Sequence, residues 1–140
     1  MAYWLFKSEP EVWSFDDQVK KKKPQEWDGV RNYAARNFMR QMKKGDLGFF
    51  YHSGDEKAIV GIARVAATAH PDSTSDDPQW ECVDIEAVEP MPKPVTLADV
   101  KKTDALNDMA LVRLSRLSVQ PVTDKEWKLI CKMGGLSKKF

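Results

Sequence analysis

Cysteine is scarce in this sequence: there are two, Cys82 and Cys131, far apart and in unlike surroundings. No CxxC spacing occurs, which argues against a metal knuckle or a disulfide framework. Reduced thiols, and with them a cytoplasmic location, are the expectation. Long apolar runs are also lacking. The longest, Ala58 to Ala63, stops at Arg64 and is far too short to span a bilayer, so no membrane partner is expected. The start, Met1-Ala2-Tyr3-Trp4-Leu5-Phe6, has neither a basic leader region nor a cleavage site and reads as a first strand rather than a signal peptide. GxSxG, a phosphate-binding P-loop, GxGxxG and HExxH are all absent. His52 and His70 are the only histidines, and neither has a metal-ligating companion at useful spacing. No catalytic residue, metal or cofactor is assigned on these grounds.

What is present is a length and composition suited to one domain: 140 residues, 42% hydrophobic and 31% charged. The formal net charge of +1 hides an asymmetry. Lys20 to Lys44 holds nine basic residues against Glu26 and Asp28, about +7. Pro71 to Pro90 holds seven acids and no Lys or Arg, about −7. The first stretch is suited to a phosphate backbone, although a self-balancing surface is the plainer reading.

Patterning gives the elements. Ala2 to Lys7 reads as a buried strand. Ser14 can cap a short helix to about Val19, and Lys20 to Pro24 reads as a loop. Asn32 can cap a longer helix to about Met42, with Ala35, Phe38 and Met42 on one stripe and Arg36 and Arg40 facing outward. Leu47 to His52 and Lys57 to Ala69 read as strands joined by a Ser53–Glu56 hairpin, with a bend at Gly61. Asp72 to Gln79 is a polar loop. Trp80 to Val88 alternates as a strand, and Pro90, Pro92 and Pro94 make an extended connection. Thr96 can cap a short helix to Lys101, and Thr123 or Asp124 a last one to about Met133, before a frayed tail. The implied class is α+β, a strongly bent sheet or small open barrel flanked by helices, in a single domain over 1–140.

Five tryptophans are many for this length. Trp4, Trp13 and Trp127 sit in apolar patterns and read as core. Trp27 differs: it lies between the lysine run and Asp28-Gly29, where a bare indole needs something to cover. Stacking a nucleobase would supply about 1–3 kcal/mol there. Trp80, opening a strand after a polar loop, is a candidate for a second wall.

Several blocks in order carry a family resemblance. Tyr3-Trp4-Leu5-Phe6-Lys7-Ser8-Glu9-Pro10, Trp27-Asp28-Gly29-Val30-Arg31-Asn32-Tyr33 and Gly45-Asp46 with Phe49-Phe50-Tyr51-His52-Ser53 resemble the EVE domain. Ile59-Val60-Gly61-Ile62-Ala63 and Leu117-Ser118-Val119-Gln120-Pro121 continue the likeness. The Ser-Thr-Ser within Asp72 to Asp77 departs from it, since aromatics or prolines occupy this loop in some members. The resemblance implies a PUA-like fold, a bent open β-barrel with helices at its rim. It also implies kinship with YTH domains, which read a methylated adenine through an aromatic cage. By position, Lys7 and Ser8 would open the pocket, Trp27 would be its first wall and Trp80 a second. Ser8 and Asn32 would bond the base edge, Tyr51, His52 and Ser53 would complete the pocket, and Arg31, Arg36 and Arg40 would hold phosphates. The implied partner is DNA carrying a modified cytosine, or RNA carrying a modified base, bound by a monomer without chemistry. Two rivals stand beside this reading. One is a small hydrolase of the ASCH kind acting on a modified nucleoside, with Lys7, Glu9 and His52 as an acid–base set. The other is an assembly module built on the acidic stretch.

Overall fold

Successive residues of a strand point to opposite faces, and Trp4, Leu5 and Phe6 are all buried, so the first strand must be covered on both sides. The computed structural model, which describes residues 2–138 and 140, shows how. Strand β1 (Tyr3–Ser8) lies inside a mixed six-stranded sheet with β2 (Gln25–Glu26), β3 (Leu47–His52), β4 (Ala58–Pro71), β5 (Glu81–Thr96) and β6 (Val119–Val122). The order is β2-β5-β4-β3-β1-β6, and the sheet is not closed. Trp4 and Phe6 join one core, with Trp27, Phe15 and Phe50; Leu5 joins the other, with Phe49, Ile62 and Trp127. β1 pairs in parallel with β3, which requires a crossover, and that crossover carries the functional segment. It contains α1 (Phe15–Lys21), β2 and α2 (Tyr33–Gln41).

Helix starts follow capping chemistry. Ser14 accepts from Asp17 N–H and Asp17 returns the bond to Ser14 N–H, and the same reciprocal box occurs at Thr96 with Asp99. Thr123 rather than Asp124 caps α5 (Asp124–Met133), again reciprocally, with Glu126. α3 (Leu97–Lys101) is followed by a 3₁₀ turn (Asp104–Leu106) and α4 (Ala110–Arg113), elements too short to leave a periodic signal. The α+β architecture with an open bent sheet is as expected.

The bend has a visible cause. The β4–β5 register shifts four times, the first between Ile59 and Gly61. β5 does not stop at the prolines, as the sequence suggests. Ile59 pairs with Val95 and Gly61 with Pro90, so the intervening stretch bulges out of the ladder and needs no proline N–H. At Gly61 an added Cβ would lie 2.4 Å from the Phe15 ring, so glycine lets the start of α1 lie flat on the strand.

Candidate nucleic-acid interface

The end of β1, the β1–α1 connection and the stretch from β2 to α2 converge around a cavity of about 450 Å³. That lies within the ~300–1,000 Å³ usual for small-ligand sites. Lys7, Ser8, Trp13, Trp27, Asp28 and Arg31 line it, with Gln25 and Glu26 from β2 and Ser118 ahead of β6. Trp27 extends the β2 ladder by donating its backbone N–H to Val83 O at 2.8 Å. Its indole is only 7% exposed and stands edge-on to Phe6 and Phe50, each with ring centroids 5.5 Å away. Trp27 is therefore a fixed floor anchored in the core rather than a loop side chain. A platform already held by the core loses little freedom when something stacks on it.

One wall is pinned by Asp72. Its buried carboxylate accepts from Gly29 N–H (2.9 Å), Arg31 Nη1 (3.0 Å), Thr74 N–H (2.8 Å) and the Thr74 hydroxyl (2.6 Å). Burial pushes this carboxyl up, but the Thr74, Gly29 and Arg31 donors outweigh it and hold it at about 2. Gly29 takes φ +77°, a left-handed turn that presents its N–H to Asp72. On the opposite rim, Ser8 donates to Trp13 O at 2.6 Å, and Lys7 donates to Ser115 O at 2.8 Å. Burial lowers the Lys7 pKa. Asp28 differs from its neighbours: it has no hydrogen-bond or ion-pair partner among the described residues. Partial burial, then Asp72 and Glu26, raise its pKa.

Of the residues singled out by sequence, the structure brings Lys7, Ser8, Trp27 and Arg31 together at this cavity and places the rest elsewhere. Tyr51 and Ser53 line a second, smaller hollow of about 260 Å³, reached also by Lys7 and Lys57. His52 is buried, with Nε2 accepting from Phe15 N–H at 3.0 Å and Nδ1 bonded to Glu56 at 2.8 Å. Both ring nitrogens are taken by the fold. Asn32 caps α2, accepting from Ala35 N–H at 2.9 Å, and lines a separate shallow hollow with Arg116. Trp80 stacks on Tyr33 at 5.0 Å, outside the cavity, with the Arg31 and Arg36 guanidinium groups 5.6 and 5.8 Å from its ring.

Two of the three arginines assigned to phosphates are engaged by the acidic stretch. Arg40 pairs with Glu81 at 2.5 Å, and Arg36 and Arg40 both donate to Gln79 O. The basic and acidic segments thus dock on one another. Lys20, Lys21, Lys22 and Lys23 remain exposed, on the approach to β2 and the cavity. Of the acid–base set, Lys7 lines the cavity, whereas the His52 ring is held by Phe15 and Glu56. Glu26, His70 and Cys82 bring ligand atoms within 4.8 Å of one another. Each is occupied: Glu26 accepts from Ser73, His70 Nε2 is bonded to Asp84, and the Cys82 thiol is pushed far up by burial and then by the surrounding carboxylates. A thiol so held stays protonated and is a poor ligand.

Asp28, Glu26, Gln25, Trp13, Val12 and Ser118 line the cavity without having been singled out. Asp28 had a signal, as a carboxylate directly beside the one indole in a polar segment. Ser118 had none, because only the β1–β6 pairing brings it there.

The EVE domain family matches residues 2–133. Human thymocyte nuclear protein 1 is 35% identical over 162 residues, covering 92% of this chain and 72% of that protein. The crystal structure of a protein from Agrobacterium tumefaciens superposes with a TM-score of 0.97 at 55% identity, covering 99% of this chain and 97% of that one. The crystal structure of human thymocyte nuclear protein 1 in complex with DNA containing 5-methylcytosine superposes with a TM-score of 0.90 at 34% identity, covering 99% and 100% of the two chains.

Proposed function

The chain belongs to the EVE domain family, and from that premise we propose that it binds DNA carrying a modified cytosine, as a monomer, and receives the flipped base in the cavity over Trp27. The observation that carries this reading is a cavity of about 450 Å³ with a core-anchored indole as floor, in a fold shared at a TM-score of 0.90 with a relative solved on 5-methylcytosine DNA. A base leaving the helix loses stacking, at a cost of a few kcal/mol. Stacking on Trp27 returns about 1–3 kcal/mol, and the rim supplies polar groups to the base edge. Lys20 to Lys23 supply phosphate contacts, in place of Arg36 and Arg40, whose guanidinium groups the acidic stretch already holds.

Equilibrium binding tests this with two duplexes identical except for one 5-methyl group on cytosine, alongside the corresponding RNA. Tighter binding of the methylated DNA, by about tenfold, supports the reading; one extra methyl in a fitted pocket is worth about 1–3 kcal/mol. Equal affinity for the two DNAs, or a preference for the RNA, contradicts it.

A further inference from the structure

We infer that Asp28 is the specificity-determining residue that separates 5-methylcytosine from thymine in this cavity, by accepting a hydrogen bond from the exocyclic amino group of the base. The inference rests on the reading just proposed and adds to it the means of choosing between two bases that share a methyl group. A pocket shaped for the methyl of 5-methylcytosine fits thymine equally well. The two bases differ where cytosine offers an N4–H₂ donor and thymine an O4 acceptor. Fit cannot reject thymine; an acceptor at that position can.

Among the carboxylates at this wall, Asp28 is the one with neither oxygen bonded among the described residues. Asp72 is saturated by Gly29, Arg31 and Thr74. Glu26 Oε1 already accepts from Ser73 N–H and Oγ, at 2.8 and 2.7 Å. The Asp28 carboxylate follows the Trp27 floor, lines the cavity and has no partner among the described residues. With cytosine stacked on the indole it gains a charge-assisted bond. With thymine it meets O4, oxygen against oxygen, in a site where water is displaced. The charged groups around Asp28 are Glu26 and Asp72, which oppose its ionisation, Arg31 and Lys21, which favour it, and Lys7 on the opposite rim.

Protonation turns the acceptor into a donor that thymine tolerates. Because the folded environment raises the Asp28 pKa, discrimination is full at neutral pH and starts to fail above the usual carboxylate range as pH falls. Asp28→Asn does the same at every pH, since a carboxamide can turn its NH₂ toward O4. Asp28 is exposed and its carboxylate is bonded to none of the described residues, so the substitution removes none of their folding contacts.

The test measures binding to two DNA duplexes carrying 5-methylcytosine or thymine opposite an abasic site, so that flipping costs match. Wild-type chain and Asp28→Asn are compared from neutral pH down to about 4, the usual carboxylate range. The wild type is expected to prefer 5-methylcytosine by about tenfold or more at neutral pH, with the ratio shrinking as pH falls. Asp28→Asn is expected to bring the two affinities within about threefold, independently of pH. A variant that keeps the wild-type ratio overturns the inference. If the variant binds neither duplex, the wild-type pH profile decides, and a flat ratio overturns it. A wild-type chain that binds 5-methylcytosine and thymine equally leaves the base-capture reading standing and removes the role of Asp28. A wild-type chain that binds neither duplex removes both.

Discussion

Trp27 has two roles that must be separated by experiment. It is packed against Phe6 and Phe50 as core, and it floors the cavity. Trp27→Ala is expected to cost about 3–5 kcal/mol of stability, as large aromatic deletions in cores do, so lost binding in that variant would report unfolding. Trp27→Phe keeps an aromatic ring between Phe6 and Phe50 while shrinking the platform. It should fold cooperatively by thermal melt and bind methylated DNA several-fold more weakly. Asp72 is the other critical residue. Removing it by Asp72→Ala takes the acceptor from Gly29 N–H and both Thr74 donors and unpairs the exposed Arg31 guanidinium, which should lower the unfolding free energy by about 1–3 kcal/mol in a denaturant titration. Its depressed pKa gives the sign of the pH effect. The stabilisation is complete above the unfolded value near 3.8 and is lost as pH falls toward about 2. Wild type should therefore lose stability between about pH 4 and pH 2, and Asp72→Ala should show a shallower loss.

At the scale of elements, the helix starts were legible because capping is local. Ser14, Asn32, Thr96 and Thr123 are each followed by donors that their side chains reach within one turn. Asn32 shows the limit of such reasoning: the sequence offered both a cap and a base contact, and the cap is what the fold uses. Asn32→Ala is expected to cost about 1 kcal/mol of stability with little change in the 5-methylcytosine to cytosine affinity ratio. β2 was not legible. Two residues carry no periodicity, and Gln25 and Glu26 become a strand only because Ile85 and Asp84 present a free ladder edge to them. That pairing sets Trp27 in place, so the site's central element rests on a contact of long sequence separation. The same holds for β5, where prolines signalled an end that bulging made unnecessary. Lys7, Ser8, Trp27 and Arg31, grouped by their motifs, line one cavity. His52 was misplaced because a strand-end histidine beside Ser53 gives no hint that Phe15 N–H will claim its ring.

For the whole molecule, the opposed charge blocks are internal partners as much as binding surfaces. Arg31 with Asp72, Arg40 with Glu81 and Arg64 with Glu86 cross between segments. The Arg40–Glu81 and Arg64–Glu86 pairs are partly exposed and contribute little individually, whereas Asp72 is buried, and its bonds to Gly29, Arg31 and Thr74 hold the start of the 72–80 loop beside α2. In the proposed reading the cations offered to a phosphate backbone are the exposed Lys20 to Lys23. A footprint of about four phosphates gives a slope of log K against log salt of about −3 to −4. Lys20→Ala combined with Lys23→Ala should flatten that slope by about 2 and weaken methylated and unmethylated DNA alike. Salt titrations of both duplexes check this, and a change in the methyl preference would place those lysines in base recognition instead.

In the proposed complex the hollow above Trp27 receives the base. Nuclear magnetic resonance of nitrogen-15-labelled chain, titrated with duplex DNA bearing one 5-methylcytosine, tests it most directly. The Trp27 indole signal and the backbone amides of Ser8, Asp28 and Gly29 are expected to shift together, while the indole of Trp127, in the opposite core, stays where it was. Binding that moves the signals around Tyr51 and Ser53 and leaves Trp27 and Asp28 unmoved would contradict it.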